Sequence, residues 1–153
     1  MPELPEVETV RRSLEQHLTG AGIADVQLRS PGLRWPFQKD FGRRLAGGSI
    51  ARFDRRGKYL LLHFDRGETL IVHLGMTGTF TMLDEAEDEP DRHDHVLFSM
   101  ADGRALVYND PRRFGSMEVV RTDELASHRV IGRLGPEPVA GDFDASVLAA
   151  ALR

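Results

Sequence analysis

Residues 49–74 read SIARFDRRGKYLLLHFDRGETLIVHL, three apolar-rich runs in quick succession, interrupted by glycine-bearing breaks. Ser49–Arg56, Lys58–Asp65 and Glu68–Leu74 each have the length of a strand. Their β-branched and aromatic residues suit a pleated, half-buried surface. Asp65, Arg66 and Gly67 supply a hairpin turn between the second and third runs. The same rhythm continues in Thr79–Leu83, Val96–Ala101, Arg104–Asn109 and Ser116–Arg121, with Asp102 and Gly103 a strong two-residue hairpin signal. Many short strands joined by tight turns argue for an antiparallel sandwich or barrel, so the chain reads as mainly β.

Helices flank this series. Val7, Val10, Leu14 and Leu18 recur at steps of three and four, which predicts an amphipathic helix over Pro5–Leu18. Pro5 suits the first helical position, Glu6 and Glu8 favour the positive end of the helix dipole, and Gly20 can stop the helix. Phe37–Leu45 reads as a short helix and Thr122–His128 as another, with Thr122 as its cap. Pro136–Gly141 reads as a linker, and Ala145–Leu152 opens a further helical pattern. The expected organisation is one β domain over residues 1–135, then a linker and the start of a helical domain over 136–153. There is no internal repeat.

With 153 residues, 41% hydrophobic and 29% charged, the composition is that of a folded chain rather than a disordered one. No apolar run approaches the length of a bilayer, and no charged-then-apolar leader precedes the first helix. A cytoplasmic protein with no membrane partner is therefore expected. The absence of cysteine excludes a disulfide framework and a thiolate zinc site. A formal net charge of −4 runs against the basic footprint of nucleic-acid binding. Its distribution weakens that objection: Arg52, Arg55, Arg56 and Lys58 crowd together against Asp54 alone, while acids collect between Asp84 and Asp94.

The amino terminus, MPELPEVETVRR over residues 1–12, suggests chemistry. Once the initiator methionine is removed, Pro2 offers a secondary amine, with an unperturbed pKa of roughly 7.7–8.0 for an α-amino group. Attack on a sugar aldehyde carbon would give a cationic iminium, an electron sink suited to β-elimination. Glu3 stands next in the chain, where a carboxylate could move protons to and from that adduct. On residue types alone the plainer reading prevails, with Pro2 a permissive second residue and Glu3 and Glu6 decorating a helix start. By the same standard Lys58 is a strand-edge lysine and Met76 a buried turn methionine. His73 reads as a structural hydrogen-bonding residue, Trp35 as a packing residue, and Arg113 as a partner for phosphate or carboxylate. His93 and His95 alternate along a strand-like segment, so both could face one side. Without a clear third ligand they make a weak metal signal, and no metal site is expected.

In order along the chain, MPELPEVETVRR (1–12), RWP (34–36), RRGKYLL (55–61), HLGMTG (73–78), HDHV (93–96), DPRRFG (110–115) and LGPEP (134–138) resemble the formamidopyrimidine-DNA glycosylases. The resemblance runs from the first residue to about Pro138 and implies a two-layered antiparallel β-sandwich with an amino-terminal α-helix and flanking helices. It further implies a bifunctional base-excision glycosylase and AP lyase whose partner is double-stranded DNA containing oxidised purines, 8-oxoguanine and formamidopyrimidines. Carried onto this chain, it makes Pro2 the Schiff-base nucleophile and Glu3 the group that handles protons at the deoxyribose. Lys58 becomes the contact to the phosphate beside the damaged nucleotide and an aid to β-elimination. Met76 fills the gap left by an extruded base, Phe114 is a second wedge, Arg112 hydrogen-bonds the widowed cytosine, and His93 touches the DNA backbone.

Members of this family carry one structural zinc in a carboxy-terminal finger, which also holds an arginine used in δ-elimination. This cysteine-free chain has neither, so no cofactor is expected in these residues. The chain is expected to be an amino-terminal piece, monomeric, with weak DNA binding and little or no glycosylase activity alone. Two rivals remain. The endonuclease VIII branch shares the Pro-Glu start and prefers oxidised pyrimidines, although Leu4 and the set Met76, Arg112 and Phe114 favour the purine branch. A non-catalytic damaged-DNA-binding module would retain the sandwich, but would not need Pro2, Glu3 and Lys58 together.

Overall fold

The computed structural model describes residues 3–86 and 89–134. Its elements run α1 (Leu4–Leu18), β1 (Ile23–Leu28), α2 (Phe41–Leu45), β2 (Ile50–Arg56), β3 (Tyr59–Phe64) and β4 (Glu68–His73). They continue with β5 (Thr79–Leu83), β6 (Asp94–Met100), β7 (Ala105–Asn109), β8 (Ser116–Arg121), a 3₁₀ helix (Thr122–Ser127) and α3 (Ile131–Leu134). The strands form two four-stranded sheets, ordered β1-β6-β7-β5 and β2-β3-β4-β8, with neighbours antiparallel throughout. Of the two architectures the strand pattern allows, the molecule is the sandwich. The expected mainly β fold with its amino-terminal helix is what forms.

The apolar run of β3 shows how the layers are made. Leu60, Leu62 and Phe64 join the main core, together with Leu70 and Val72 of β4 and Val96, Phe98, Leu106 and Tyr108 of the other sheet. Leu61, on the opposite face, packs with Ile71, Leu125 and Ile131 in a second cluster beneath the 3₁₀ helix and α3. β3 therefore shows no alternation, because both of its faces are covered. Each fully buried leucine contributes roughly 1.5–3 kcal/mol relative to exposure. α1 lays Val7, Leu14 and Leu18 into the main core, with Val10 partly buried beside them. The helix starts one residue earlier than the pattern predicts, and Gly20, at φ +81°, follows its end.

Several expectations are corrected. β1 carries no sequence signal, because only Ile23 is buried on this edge strand, which is defined by its pairing with β6. The helix expected over Phe37–Leu45 shrinks to Phe41–Leu45, since the Phe37 N–H donates to the Pro31 carbonyl and closes a loop instead. Thr122 does not cap the 3₁₀ helix. Arg121 holds the capping position, and the Thr122 hydroxyl pairs with that of Thr69 at 2.7 Å. His128 serves the next helix: its Nδ1 accepts the N–H groups of Val130 and Ile131, each at 3.1 Å. That fixes the neutral ring's proton on Nε2, which donates to Glu118 at 2.7 Å. The expected linker and second helical pattern lie outside the described residues. No helix among the described residues is long and apolar enough to cross a membrane.

The topology singles out one end of the sandwich. Besides the β1–β2 connection, the chain crosses between sheets through residues 74–78 and again through 110–115. In register, Tyr59 pairs with His73 and His73 with Ser116, while Thr79 and Asp94 both pair with Asn109. Both crossings and the β2–β3 turn therefore share that end. The last residue of α3 reaches it too, since a methyl built on Gly57 of the turn would lie 3.6 Å from Leu134.

Candidate active site at one end of the sandwich

Glu3 caps α1 by backbone alone. Its φ of −82° and ψ of 169° are extended, and its side chain makes no capping hydrogen bond. The free carboxylate instead lies 3.7 Å from Lys58 Nζ. Lys58 stands in the β2–β3 turn after Gly57, whose φ of +57° belongs to the left-handed region that glycine enters at little cost. Glu3 is 71% exposed, so this ion pair is worth well under about 1 kcal/mol and does not position the groups itself.

Glu8 does the positioning. Its carboxylate accepts from Arg11 at 2.7 Å, Arg12 at 3.0 Å and Arg55 at 3.0 Å. Arg55 also donates to the Gly57 carbonyl, and Arg11 to the Phe53 carbonyl. The first turns of α1 are thereby fastened to β2 and to the turn that presents Lys58. Burial alone would raise the Glu8 pKa, but hydrogen bonds from Arg11 and Arg55, with Arg11's charge and Arg12 adding to them, lower it to about 2.

His73 lies across the sheet from Tyr59, the two rings 4.9 Å apart. Its Nδ1 accepts the Gly75 N–H at 3.0 Å, as expected of a structural hydrogen-bonding residue, and that leaves Nε2–H as a donor. Burial lowers its pKa, and the positive charges of Lys58 and Arg34 lower it further.

The two crossing loops meet at Asp110, which is fully buried. One carboxylate oxygen accepts from Thr77 at 2.6 Å and the Arg113 N–H at 3.1 Å. The other accepts from Tyr108 at 3.0 Å and the Gly115 N–H at 2.9 Å. Burial, then the Asp110 charge, raises the Tyr108 pKa, keeping that hydroxyl a donor. From this hub Met76 and Phe114 project outward, each 44% exposed, and Arg112 lies 4.8 Å over the Phe114 ring. Met76 is thus not a buried turn methionine. Arg113, at φ +54°, meets a carboxylate through its backbone N–H.

His93 sits just before β6 with its ring 6.4 Å from that of His95, and its carbonyl accepts the Asp110 N–H. His95 is buried and donates to the Asp110 carbonyl at 3.0 Å. Among the described residues no group of three or more potential ligands could hold a metal ion. With no cysteine in the chain, a thiolate zinc site does not fit it.

Trp35 overturns its reading as a packing residue. It is 59% exposed, while Leu33 takes the buried place, in a loop closed by a Gly32–Pro36 bridge. The Arg34 N–H donates to the Gly115 carbonyl, tying this loop to the Phe114 segment. Arg34, Trp35, Tyr59, His73 and Phe114 line a cleft of about 460 Å³.

The fold therefore brings Glu3 to Lys58 and gathers Met76, Arg112, Phe114 and His93 around Asp110. His73 stands between the two groups: its ring accepts the Gly75 N–H beside Met76, and after burial the Lys58 charge lowers its pKa. Pro2 lies outside the described residues. Sequence reading missed Glu8 and Asp110 as organisers, since their partners converge only in the folded chain.

The family model described as the formamidopyrimidine-DNA glycosylase N-terminal domain matches residues 1–117. A formamidopyrimidine-DNA glycosylase of Caulobacter sp. (strain K31) is 48% identical over 99% of this chain and 56% of its own length. One from Roseobacter denitrificans is 44% identical over all of this chain and 56% of its own. Among solved structures, Lactococcus lactis Fpg in complex with abasic-site DNA superposes with a TM-score of 0.80 at 35% identity. That match covers 95% of this chain and 54% of the other. The same Lactococcus protein has also been solved with DNA containing N7-benzyl-Fapy-dG, again with a TM-score of 0.80. The chain spans about half the length of the curated relatives it matches.

Proposed function

The chain belongs to the formamidopyrimidine-DNA glycosylase family, and on that premise we propose that it is the catalytic amino-terminal part of a bifunctional DNA glycosylase and AP lyase acting on oxidised purines in duplex DNA. The observation that carries this reading is the Glu3–Lys58 pair, fastened by Glu8 at the sandwich end that also presents Met76, Arg112 and Phe114. A damaged nucleotide is extruded from the duplex, with Met76 and Phe114 entering the stack and Arg112 meeting the orphaned base. Unstacking costs a few kcal/mol, which apolar wedges offset. His93 approaches the backbone beside them.

The Pro2 amine, unprotonated, attacks C1′, and the bond to the damaged base breaks as the base leaves with a proton. The amine gives up its proton as the C1′–O4′ bond opens and O4′ takes one, leaving the iminium. This draws in the electrons of the C2′–H bond as that proton departs, and the 3′ C–O bond breaks by β-elimination with the phosphate as leaving group. Glu3 is the nearby acid and base for these proton transfers. The Lys58 ammonium favours the neutral amine by like-charge repulsion and offers a contact to the flanking phosphate. Residues 1–135 form this catalytic unit and 136–153 lead into a helical domain. The protein acts as a monomer in the bacterial cytoplasm, and these 153 residues alone turn over weakly if at all.

Borohydride trapping tests the reading in the full-length protein. An 8-oxoguanine:cytosine duplex is expected to yield a stable protein–DNA cross-link that Pro2→Gly abolishes. No cross-link would remove the Schiff base, and one indifferent to Pro2→Gly would remove Pro2 as its nucleophile. Stronger trapping on thymine glycol would move the protein to the pyrimidine branch.

A further inference from the structure

Met76 and Phe114 stand 38 residues apart in sequence, yet their two loops are built as one body. The Thr77 hydroxyl donates to the Asp110 carboxylate at 2.6 Å and lies 3.3 Å from the Arg112 N–H. Asp110 in turn holds the N–H groups of Arg113 and Gly115, so one buried side chain fixes both flanks of Phe114. The backbones also touch. A methyl built on Gly75 would lie 2.5 Å from the Phe114 carbonyl carbon and clash with the Gly115 nitrogen, and Gly75 has φ +61°. A methyl on Gly115 would strike the Tyr108 hydroxyl. Close packing of this kind permits few independent displacements. Charge-assisted hydrogen bonds to a desolvated carboxylate are the strong kind, and leaving them unmade is costly.

We propose that Thr77 and Asp110 are a positioning pair that locks the Met76 turn to the Arg112–Phe114 loop, so that the two apolar side chains enter a duplex as a single preset unit. This rests on the reading that both insert into DNA. Asp110 is fully buried and engages the Thr77 hydroxyl, so the effect of the pair is seen in the coupling between Met76 and Phe114. A preset pair carries no ordering cost at the moment of insertion, and residues sharing such a network depart from additivity.

The test is a double-mutant cycle of Met76→Ala and Phe114→Ala. It measures binding of the chain at low salt to a labelled duplex containing an abasic-site analogue, by fluorescence anisotropy. In the parent chain the two losses are expected to be non-additive by about five- to tenfold. In the Thr77→Val background the coupling falls to within about twofold, and Thr77→Ser restores it. Additive losses in the parent chain overturn the proposal without recourse to any Thr77 variant. So does coupling that survives Thr77→Val. If neither alanine variant affects binding, the wedge reading itself fails. Where binding is too weak to measure, amide exchange in the DNA-free chain decides. Opening of the Arg113 and Gly115 amides is expected to become at least tenfold more frequent in Thr77→Val, with β3 amides unchanged. Unchanged protection at those two amides overturns the lock.

Discussion

Replacing Glu8 by glutamine removes the charge that fastens α1 to β2 and to the turn carrying Lys58. Holding a carboxyl at about 2 instead of its ordinary 4.5 corresponds by linkage to about 3 kcal/mol of stability at neutral pH. The carboxylate lies near the surface, so solvent screening takes a share of that figure. Glutamine still accepts one hydrogen bond, and Arg11 and Arg55 keep their bonds to the Phe53 and Gly57 carbonyls. A loss of about 2 kcal/mol at pH 7 is therefore expected, or about 6 °C in Tm for a chain of this size. The pH dependence has a definite sign. A depressed carboxyl pKa contributes stability in full above about pH 4.5, and that contribution drains away as the pH falls towards 2. Urea unfolding followed by circular dichroism, on both chains between pH 7 and pH 2, measures this. The parent's advantage should shrink below pH 4.5 and vanish near pH 2. A variant within about 0.5 kcal/mol of the parent at pH 7, or a deficit undiminished at pH 2, would refute the reasoning.

Two further outcomes follow from the same geometry. Because the Lys58 charge adds to burial in lowering the His73 pKa, Lys58→Met should make His73 titrate at higher pH in ring-proton NMR, and an unmoved titration would deny that the groups face one another. Gly75→Ala should cost at least about 3 kcal/mol, through left-handed strain and collision with the Phe114–Gly115 backbone. Gly67→Ala, at φ +82° with nothing within 4 Å of the new methyl, isolates the strain and should cost about 1 kcal/mol in the same melting experiment.

The sandwich was legible because its cues are local. Gly67 and Gly103 each mark a tight turn by positive φ, and the apolar runs between such turns become β3, β4, β6 and β7. α1 was legible for the same reason, its buried residues falling at helical spacing. The edge strand β1 was not, since it buries one side chain and is specified by what β6 offers it. The motif residues of the site could be named individually, but not their arrangement. Glu8 read as a helix-dipole residue, whereas its decisive partner, Arg55, is 47 positions away. Asp110 stands within a recognisable motif, yet its burial and its bond to Thr77 exist only once both crossings have formed. Trp35 was misread because a large indole ordinarily belongs to a core, and only the bridge between Gly32 and Pro36 reveals a loop that holds it outside.

The nearness of Leu134 to the β2–β3 turn, where a methyl built on Gly57 would meet its side chain at 3.6 Å, gives the turn a mechanical role. The carboxy-terminal end of α3 stands beside the residue that precedes Lys58, not at a distant corner. A pull on α3 would thus act with a very short lever arm on the turn that carries Lys58. His128 and Glu118, braced across β8, resist that pull before it reaches the sheet. A brace of this kind lets a shift of α3 be felt at Lys58 without a relay through the core.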